Sequence, residues 1–269
     1  MTVLPVPRER RHTLYFLGGL GRFSPVFLDT EADMSAVLAH RAAARAAGRH
    51  YSLVSYVLHA AGRALAAHPA ANAAYRGGPL ARLARYREVN GKLTFDKRLG
   101  GERVVLSAVL PGLDEADLDT IQRQVEHYRD GDPAAMPEFA PVRTLHRLPR
   151  AVGWAAYRLS TLSLARRPSV TGTFSVTSLG HRPVDGFHSV GGTTVTLGVG
   201  RVAERPVVRD GAVTAAPLLR LNLAFDHRVI DGAEAADLLT DLRAALESFP
   251  GDPAPQAGGE AAPASAETR

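Results

Sequence analysis

Two six-residue stretches share one pattern, a histidine followed four residues later by Asp-Gly: His181-Arg-Pro-Val-Asp185-Gly186 and His227-Arg-Val-Ile-Asp231-Gly232. Histidine is the side chain whose ordinary pKa lies nearest neutrality, so a fixed imidazole can take a proton from a hydroxyl or thiol and return it. The two contexts differ. Leading into His227, Leu219, Leu221, Leu223 and Phe225 alternate with Arg220, Asn222, Ala224 and Asp226, which is the period of a strand. The stretch from Ala233 to Ser248 reads as a helix, and Asp231-Gly-Ala-Glu234 has the capping-box spacing at its start. A histidine in so tight a strand-to-helix link is held by backbone on both sides, as a general base requires. His181 lies in a loop broken by Pro183, where the ring is less fixed. The plainer readings of the same residues are Asp231 as a helix cap and His227 as a structural histidine at a strand end.

Other chemistry is largely excluded. Cysteine is absent from the 269 residues, which removes disulfides, thiolate metal sites and cysteine nucleophiles together. Only Lys92 and Lys97 are lysines, so Schiff-base chemistry has few candidates. Gly198-Val-Gly200-Arg-Val-Ala203 fits the spacing of a dinucleotide-binding turn, but Pro206 and Asp210-Gly211 stand where a phosphate-binding helix should begin. Gly91-Lys92 is followed by leucine, so there is no Walker loop, and no H-E-x-x-H pair supports a metal site. The 32 basic and 27 acidic residues give a net charge of +5. Apart from the two lysines the basic residues are arginine, scattered over the chain without the like-charge block of a nucleic-acid arm. With the alanine runs, this skew reads as the codon bias of a high-GC genome, although arginine also grips phosphates well. No apolar run approaches the ~18 residues of a membrane span and no signal-peptide core is present, so a cytoplasmic protein is the default expectation.

The remaining pattern predicts a mixture of strands and helices in one α+β or α/β domain. Residues 1–11 read as an arm, Phe23–Leu28 as extended, and Met34–Ala47 as a helix stopped by Gly48. Ser52 caps an apolar, buried helix over Leu53–Ala67 that Pro69 ends. Strands follow at Lys92–Phe95 and Val104–Leu110, with Gly100 and Gly101 in the turn between them. Asp114 is the expected cap of a helix running to about Tyr128, whose apolar face is Leu113, Leu118, Ile121 and Val125. Residues 130–141 are a proline-rich connection. Leu145–Leu164 carries the single tryptophan, Trp154, between Arg147, Arg150, Arg166 and Arg167. It reads as a helix packed on its own domain with arginine stems along the rim, the alternatives being a membrane-surface helix or the wall of an apolar substrate channel. Gly172–Leu179, Thr193–Val202 and Leu218–Asp226 are strands, with Asp210-Gly211 at a hairpin turn. The tail over residues 250–269 is expected to be disordered.

Phe225-Asp-His-Arg-Val-Ile-Asp-Gly232, followed by Ala-Glu-Ala-Ala-Asp-Leu-Leu239, resembles the active-site signature of the catalytic domain of 2-oxoacid dehydrogenase acyltransferases, relatives of chloramphenicol acetyltransferase. Gly172-Thr-Phe-Ser-Val-Thr-Ser-Leu-Gly180 resembles the family's upstream strand, and the likeness covers most of residues 8–249. It implies a two-layer α/β fold, a trimer, and active sites in channels between subunits. It further implies His227 as general base, Thr177 as the hydroxyl facing the developing oxyanion, and Asp231 as the residue that holds the active-site turn. Ser178 is the fallback for Thr177, although alternation puts it on the opposite face. Gly232 stands as a supporting residue, and Arg11 or Arg8 matches the family's partner for Asp231. No metal and no tightly bound cofactor are implied; the co-substrate is a coenzyme A thioester.

Set against the family, the domain organisation expected is an arm over 1–11, a catalytic domain over 12–249 with an insertion at about 142–168, and a tail over 250–269. The lipoyl and subunit-binding domains have no counterpart, and the apolar end that joins family trimers into shells is replaced by a polar tail. The expectation is therefore a free trimer acting as a stand-alone acyltransferase, most simply with acetyl-CoA. Its acceptor would be the hydroxyl of a small natural product of the tetronate or polyketide kind. The same-class alternative is a dihydrolipoyl acyltransferase core served by a lipoyl domain on another chain. The alternative from another class is a catalytically silent trimeric scaffold.

Overall fold

A computed structural model describes residues 6–78 and 80–250. In chain order the elements are α1 (Arg11–Gly19), β1 (Pro25–Asp33), α2 (Ser35–Ala46), α3 (Leu53–Ala67), β2 (Ala73–Arg76), β3 (Arg82–Arg85), β4 (Gly91–Leu99) and β5 (Glu102–Leu110). There follow α4 (Leu118–Asp130), α5 (Ala140–Arg147), α6 (Arg150–Leu162), α7 (Arg167–Thr171), β6 (Phe174–Ser178), β7 (Val195–Arg209), β8 (Ala212–Asp226) and α8 (Gly232–Glu247). A six-stranded sheet in the order β1-β8-β7-β6-β4-β5 is parallel at β4–β6–β7 and antiparallel elsewhere.

One face of the sheet is covered by helices. Leu219, Leu221, Leu223 and Phe225 of β8 join Val176, Leu197 and Val199 in one core with Tyr56 and Leu58 of α3, Ile121 and Val125 of α4, and Leu238 and Leu242 of α8. Each of these large apolar side chains contributes about 1.5–3 kcal/mol by leaving water, so the period-two alternation of β8 fixes which way its polar residues point. Those residues face the other side, where the segment following β6 covers them. Gly198 and Gly200 explain how closely it lies: a Cβ on Gly198 would come within 2.1 Å of the Phe187 carbonyl oxygen, and one on Gly200 within 2.2 Å of that of Asp185. The two glycines that imitate a dinucleotide fingerprint are thus spacers under a loop.

Several expectations need correction. The N-terminal arm is helical from Arg8 onward, a 3-10 turn over Arg8–Arg10 leading into α1. Ser52 does cap α3, accepting from the Ser55 N–H, but the cap of α4 is Asp117, which accepts from the Thr120 N–H at 2.7 Å. Asp114 accepts from the Val89 N–H instead. The β7–β8 ribbon runs past Pro206 to the Asp210-Gly211 turn, where both residues have positive φ. Beyond Val199 strand β7 has lost β6 as a neighbour, so Pro206 sits on a strand with one free edge, where proline is tolerated. Of the tail, residues 251–269 lie outside the described residues.

Leu145–Leu164 spans the end of α5 and all of α6. Arg11 Nη1 donates to the carbonyls of His146 and Leu148 at 3.0 and 2.8 Å. Tyr15 Oη donates to the Arg150 carbonyl at 3.2 Å, and Gly153 sits so close that a Cβ there would be 2.8 Å from Tyr15 Oη. This part of the chain is therefore docked on α1 through its inner face.

Candidate active site

Strand β8 ends at Asp226, and α8 starts at Gly232. The link between them is held at every step. The Asp226 N–H donates to the Thr194 carbonyl, the His227 N–H to the Ser24 carbonyl, and the Val229 N–H to the Asp226 carbonyl, each at 2.9 Å. The Asp226 carboxylate is buried and takes both the Nε and Nη2 of Arg228, at 2.8 and 2.5 Å. Its hydrogen bonds raise the Arg228 pKa above the ordinary guanidinium value, and Tyr75 lies under the guanidinium with its centroid 4.9 Å away. This bidentate pair brackets His227 and locks the turn.

His227 itself projects outward. Its side chain is 48% exposed, and its Nδ1 lies 3.2 Å from Oδ1 of Asp231. Asp231 occupies the N-cap position of α8, with extended backbone, but its side chain makes no capping hydrogen bond. Glu234, the other half of the expected capping box, contacts Nδ1 of His68 at 3.2 Å, and His68 Nε2 meets Asp241 at 2.8 Å. The capping box is therefore not formed. Both carboxylates are drawn to histidines, Asp231 to His227 and Glu234 to His68.

Neither Arg11 nor Arg8 meets Asp231. Arg11 is spent on the α5–α6 carbonyls, and among the described residues the ion partner of Asp231 is His227 alone. Gly232 opens α8 with no atom within 4 Å of the Cβ it lacks, so nothing within this chain requires glycine there.

The twin motif resolves differently. Asp185 pairs with Arg201 at 2.7 Å and with Arg205 at 3.1 Å, and these two guanidinium groups hold its carboxyl below the ordinary value, Arg201 most. It is therefore committed to the β7 ribbon, and His181 is exposed.

Thr177 lies on β6 on the face opposite the helices, half-buried. It has no side-chain hydrogen-bond partner among the described residues, whereas Ser178 Oγ accepts from the Gly180 N–H at 3.4 Å. The sheet register sets Thr177 level with Gly198 and Asn222. His227 is five residues beyond Asn222, so at ~3.3 Å per residue the two lie roughly 16 Å apart along the strands. That separation along the strands keeps the two apart within one chain, so a second copy would be needed to bring a Thr177 hydroxyl to a His227 ring.

Sequence reasoning missed the role of Lys92. It is buried, its ammonium donates to the Gly191 carbonyl and stands 5.0 Å from the Phe16 ring centre, and burial aided by the Arg167 charge pushes its pKa down to about 8. Arg167 Nη2 donates to the neighbouring Gly192 carbonyl at 2.8 Å. Together they fasten the end of the loop that begins at His181. No group of three or more histidine, aspartate or glutamate residues capable of holding a metal occurs among the described residues.

Residues 155–251 match the family model of the 2-oxoacid dehydrogenases acyltransferase (catalytic domain). The dihydrolipoyllysine-residue acetyltransferase component of the pyruvate dehydrogenase complex of Bacillus subtilis is 54% identical over 50 residues, 19% of this chain and 11% of that protein. Its Staphylococcus aureus counterpart is 46% identical over 52 residues, again 19% of this chain and 12% of that protein. The matched segments are thus a small part of those relatives' lengths. Across the fold the likeness is broader. A probable dihydrolipoamide acetyltransferase from Listeria monocytogenes superposes with a TM-score of 0.68 at 18% identity, covering 92% of this chain and 94% of its own. The cubic core of a pyruvate dehydrogenase multienzyme complex gives 0.69 at 21%, with 92% of each chain covered. The fold is therefore that of these catalytic cores, with chloramphenicol acetyltransferase a more distant neighbour, at a TM-score of 0.51 and 16% identity over 91% of this chain and 98% of its own.

Proposed function

We propose, from the match of residues 155–251 to the 2-oxoacid dehydrogenases acyltransferase family model, that the protein moves an acyl group, most simply acetyl, from a coenzyme A thioester to a small acceptor. His227 acts as the general base. The observation that carries the reading is its geometry: backbone bonds fix the residue on both sides, Asp231 faces Nδ1, and no described residue takes Nε2. Nε2 removes the proton of the acceptor hydroxyl or thiol as that oxygen or sulfur attacks the thioester carbonyl. The carbonyl oxygen becomes an oxyanion, which accepts a hydrogen bond from the Thr177 hydroxyl of a neighbouring copy. Collapse restores the carbonyl and expels the coenzyme A thiolate, which recovers the proton from the imidazolium. No covalent enzyme intermediate forms, and no metal takes part.

The quaternary unit in this reading is a trimer, because the register separates Thr177 from His227 within a chain while a cyclic assembly closes each site with one residue from each neighbour. The domain organisation in this proposal is a catalytic unit over 12–249 with the helices around 142–168 as an insertion, working in the cytoplasm.

The favoured acceptor is a hydroxyl on a small natural product of tetronate or polyketide type, supported by the apolar helical insertion preceding the Thr177 strand. A dihydrolipoyl thiol is the second reading, and the names of the Bacillus and Staphylococcus relatives favour it. Incubation with acetyl-CoA and either dihydrolipoamide or a hydroxylated tetronate, with coenzyme A release followed, separates the two. Faster release with the hydroxyl acceptor supports the first. Release with dihydrolipoamide alone replaces it by the second, and no His227-dependent release with either acceptor overturns the acyltransferase reading.

A further inference from the structure

The outward surface of α6 is apolar apart from Arg158, which is half-buried and lies along the Trp154 ring. Ala151, Val152, Trp154, Ala155, Leu159 and Leu162 are its exposed residues between the two ends of Arg150–Leu162, with Trp154 at 51% and Leu159 at 70% exposure. At 3.6 residues per turn they fall on one side of the helix, opposite Gly153 and Tyr157, which face α1. An amphipathic helix on a protein surface ordinarily turns its apolar side inward; α6 leaves a broad apolar side outward. Isolated exposed leucines need no explanation, but a contiguous side including the only tryptophan does.

The charge around it has one sign. Between Glu138 and Asp185 there is no acidic residue, while seven arginines occur. Arg147 and Arg150 are exposed at the start of α6 and Arg166 just past its end, and Arg158 places its guanidinium 5.9 Å from the Trp154 ring centre. A two-fold contact with a second copy would set this arginine rim against itself, whereas burial in the cyclic contact proposed above is read by the native mass of the variant below. Phosphate headgroups over acyl chains offer what the surface lacks, negative charge at the rim and an apolar medium at the centre.

We propose that α6 docks the protein on an anionic lipid surface, its apolar side entering the headgroup boundary and Arg147, Arg150 and Arg166 meeting phosphates. The proposal requires no particular acceptor, but it assigns to the membrane the apolar surface that the preceding reading took as support for a natural-product acceptor, and it places the enzyme on the face of a membrane rather than across it. No helix among the described residues is long and apolar enough to span one.

Trp154 is a built-in probe. Titrating the full chain with vesicles of phosphatidylglycerol and phosphatidylcholine should shift its emission to the blue and carry the protein into the vesicle pellet. Affinity should be at least ~10-fold above that for phosphatidylcholine alone and should fall in high salt. The double substitution Val152→Glu, Leu159→Glu should abolish sedimentation while leaving circular dichroism and native mass unchanged, because both positions are exposed. Absence of binding to anionic vesicles overturns the proposal, as does binding that survives the double substitution. A changed native mass in that variant also overturns it and assigns the surface to contact between copies.

Discussion

Asp231 stands at the N-cap of α8 yet turns its carboxylate to His227, Oδ1 to Nδ1 at 3.2 Å. A capping side chain is worth about 0.5–2 kcal/mol to a helix, and α8 forgoes it. Both groups are well exposed, so the ion pair adds little stability. Its effect is orientation: the carboxylate faces Nδ1 and leaves Nε2 as the ring nitrogen turned toward an acceptor. Replacing Asp231 by Ala should therefore lower kcat by about ten-fold, the smaller part of a general-base effect, with unfolding by urea changed little. A large loss of stability with unchanged kcat would make Asp231 structural.

Replacing His227 by Ala should lower acyl transfer by at least ~10², the contribution expected of a general base. The same change at His181 should leave the rate near wild type, because Asp185, its motif partner, is held by Arg201 and Arg205. Steady-state rates of coenzyme A release decide, and the reverse ranking would mean that the other motif supplies the base.

Thr177 and Ser178 are adjacent but differ in what their hydroxyls do. Ser178 serves the turn to Gly180, while Thr177 has no partner among the described residues. Thr177→Val should cost ~10² in kcat with KM little changed, as for loss of one oxyanion donor. Ser178→Ala should cost much less. Equal losses would argue against a distinct role for Thr177.

The docking of α5 on α1 should weaken in acid. His12 and His146 face each other, Nδ1 to Nε2 at 2.9 Å, and His12 Nε2 meets the Val105 carbonyl. The His146 pKa is lowered to about 4, first by burial and then by the nearby His12 charge, and burial lowers His12 as well. A histidine whose folded pKa is depressed binds more protons when unfolded, so its contribution to stability rises with pH through that interval. Stability should therefore fall as pH drops from about 6.5 toward 4, and His146→Phe should flatten that fall. Urea unfolding at pH 4.5, 5.5 and 7 checks the slope, and an unchanged slope in the variant would rule the pair out.

What the sequence made legible was the part governed by local period. The alternation of β8 put His227 at a strand end, and Ser52 marked the start of α3 by its cap. What it hid was settled by distant partners. Asp114 and Asp117 both precede α4, and only the claim of the Val89 N–H on Asp114 leaves the cap to Asp117. The arm became α1 because Arg11 and Tyr15 bind carbonyls more than a hundred residues later. That same tie spends the arginine expected at Asp231. The outward apolar side of α6 was also hidden, since periodicity reports that a helix has an apolar side but not which way it faces.

The most direct test of the central claim is complementation between two inactive variants. His227→Ala and Thr177→Val chains, unfolded together and reassembled in equal amounts, should recover about a quarter of wild-type coenzyme A release, because random assortment in a cyclic trimer gives that share of sites both native residues. Recovery no greater than the sum of the two variants alone, in assemblies of confirmed mixed composition, would contradict a site shared between copies.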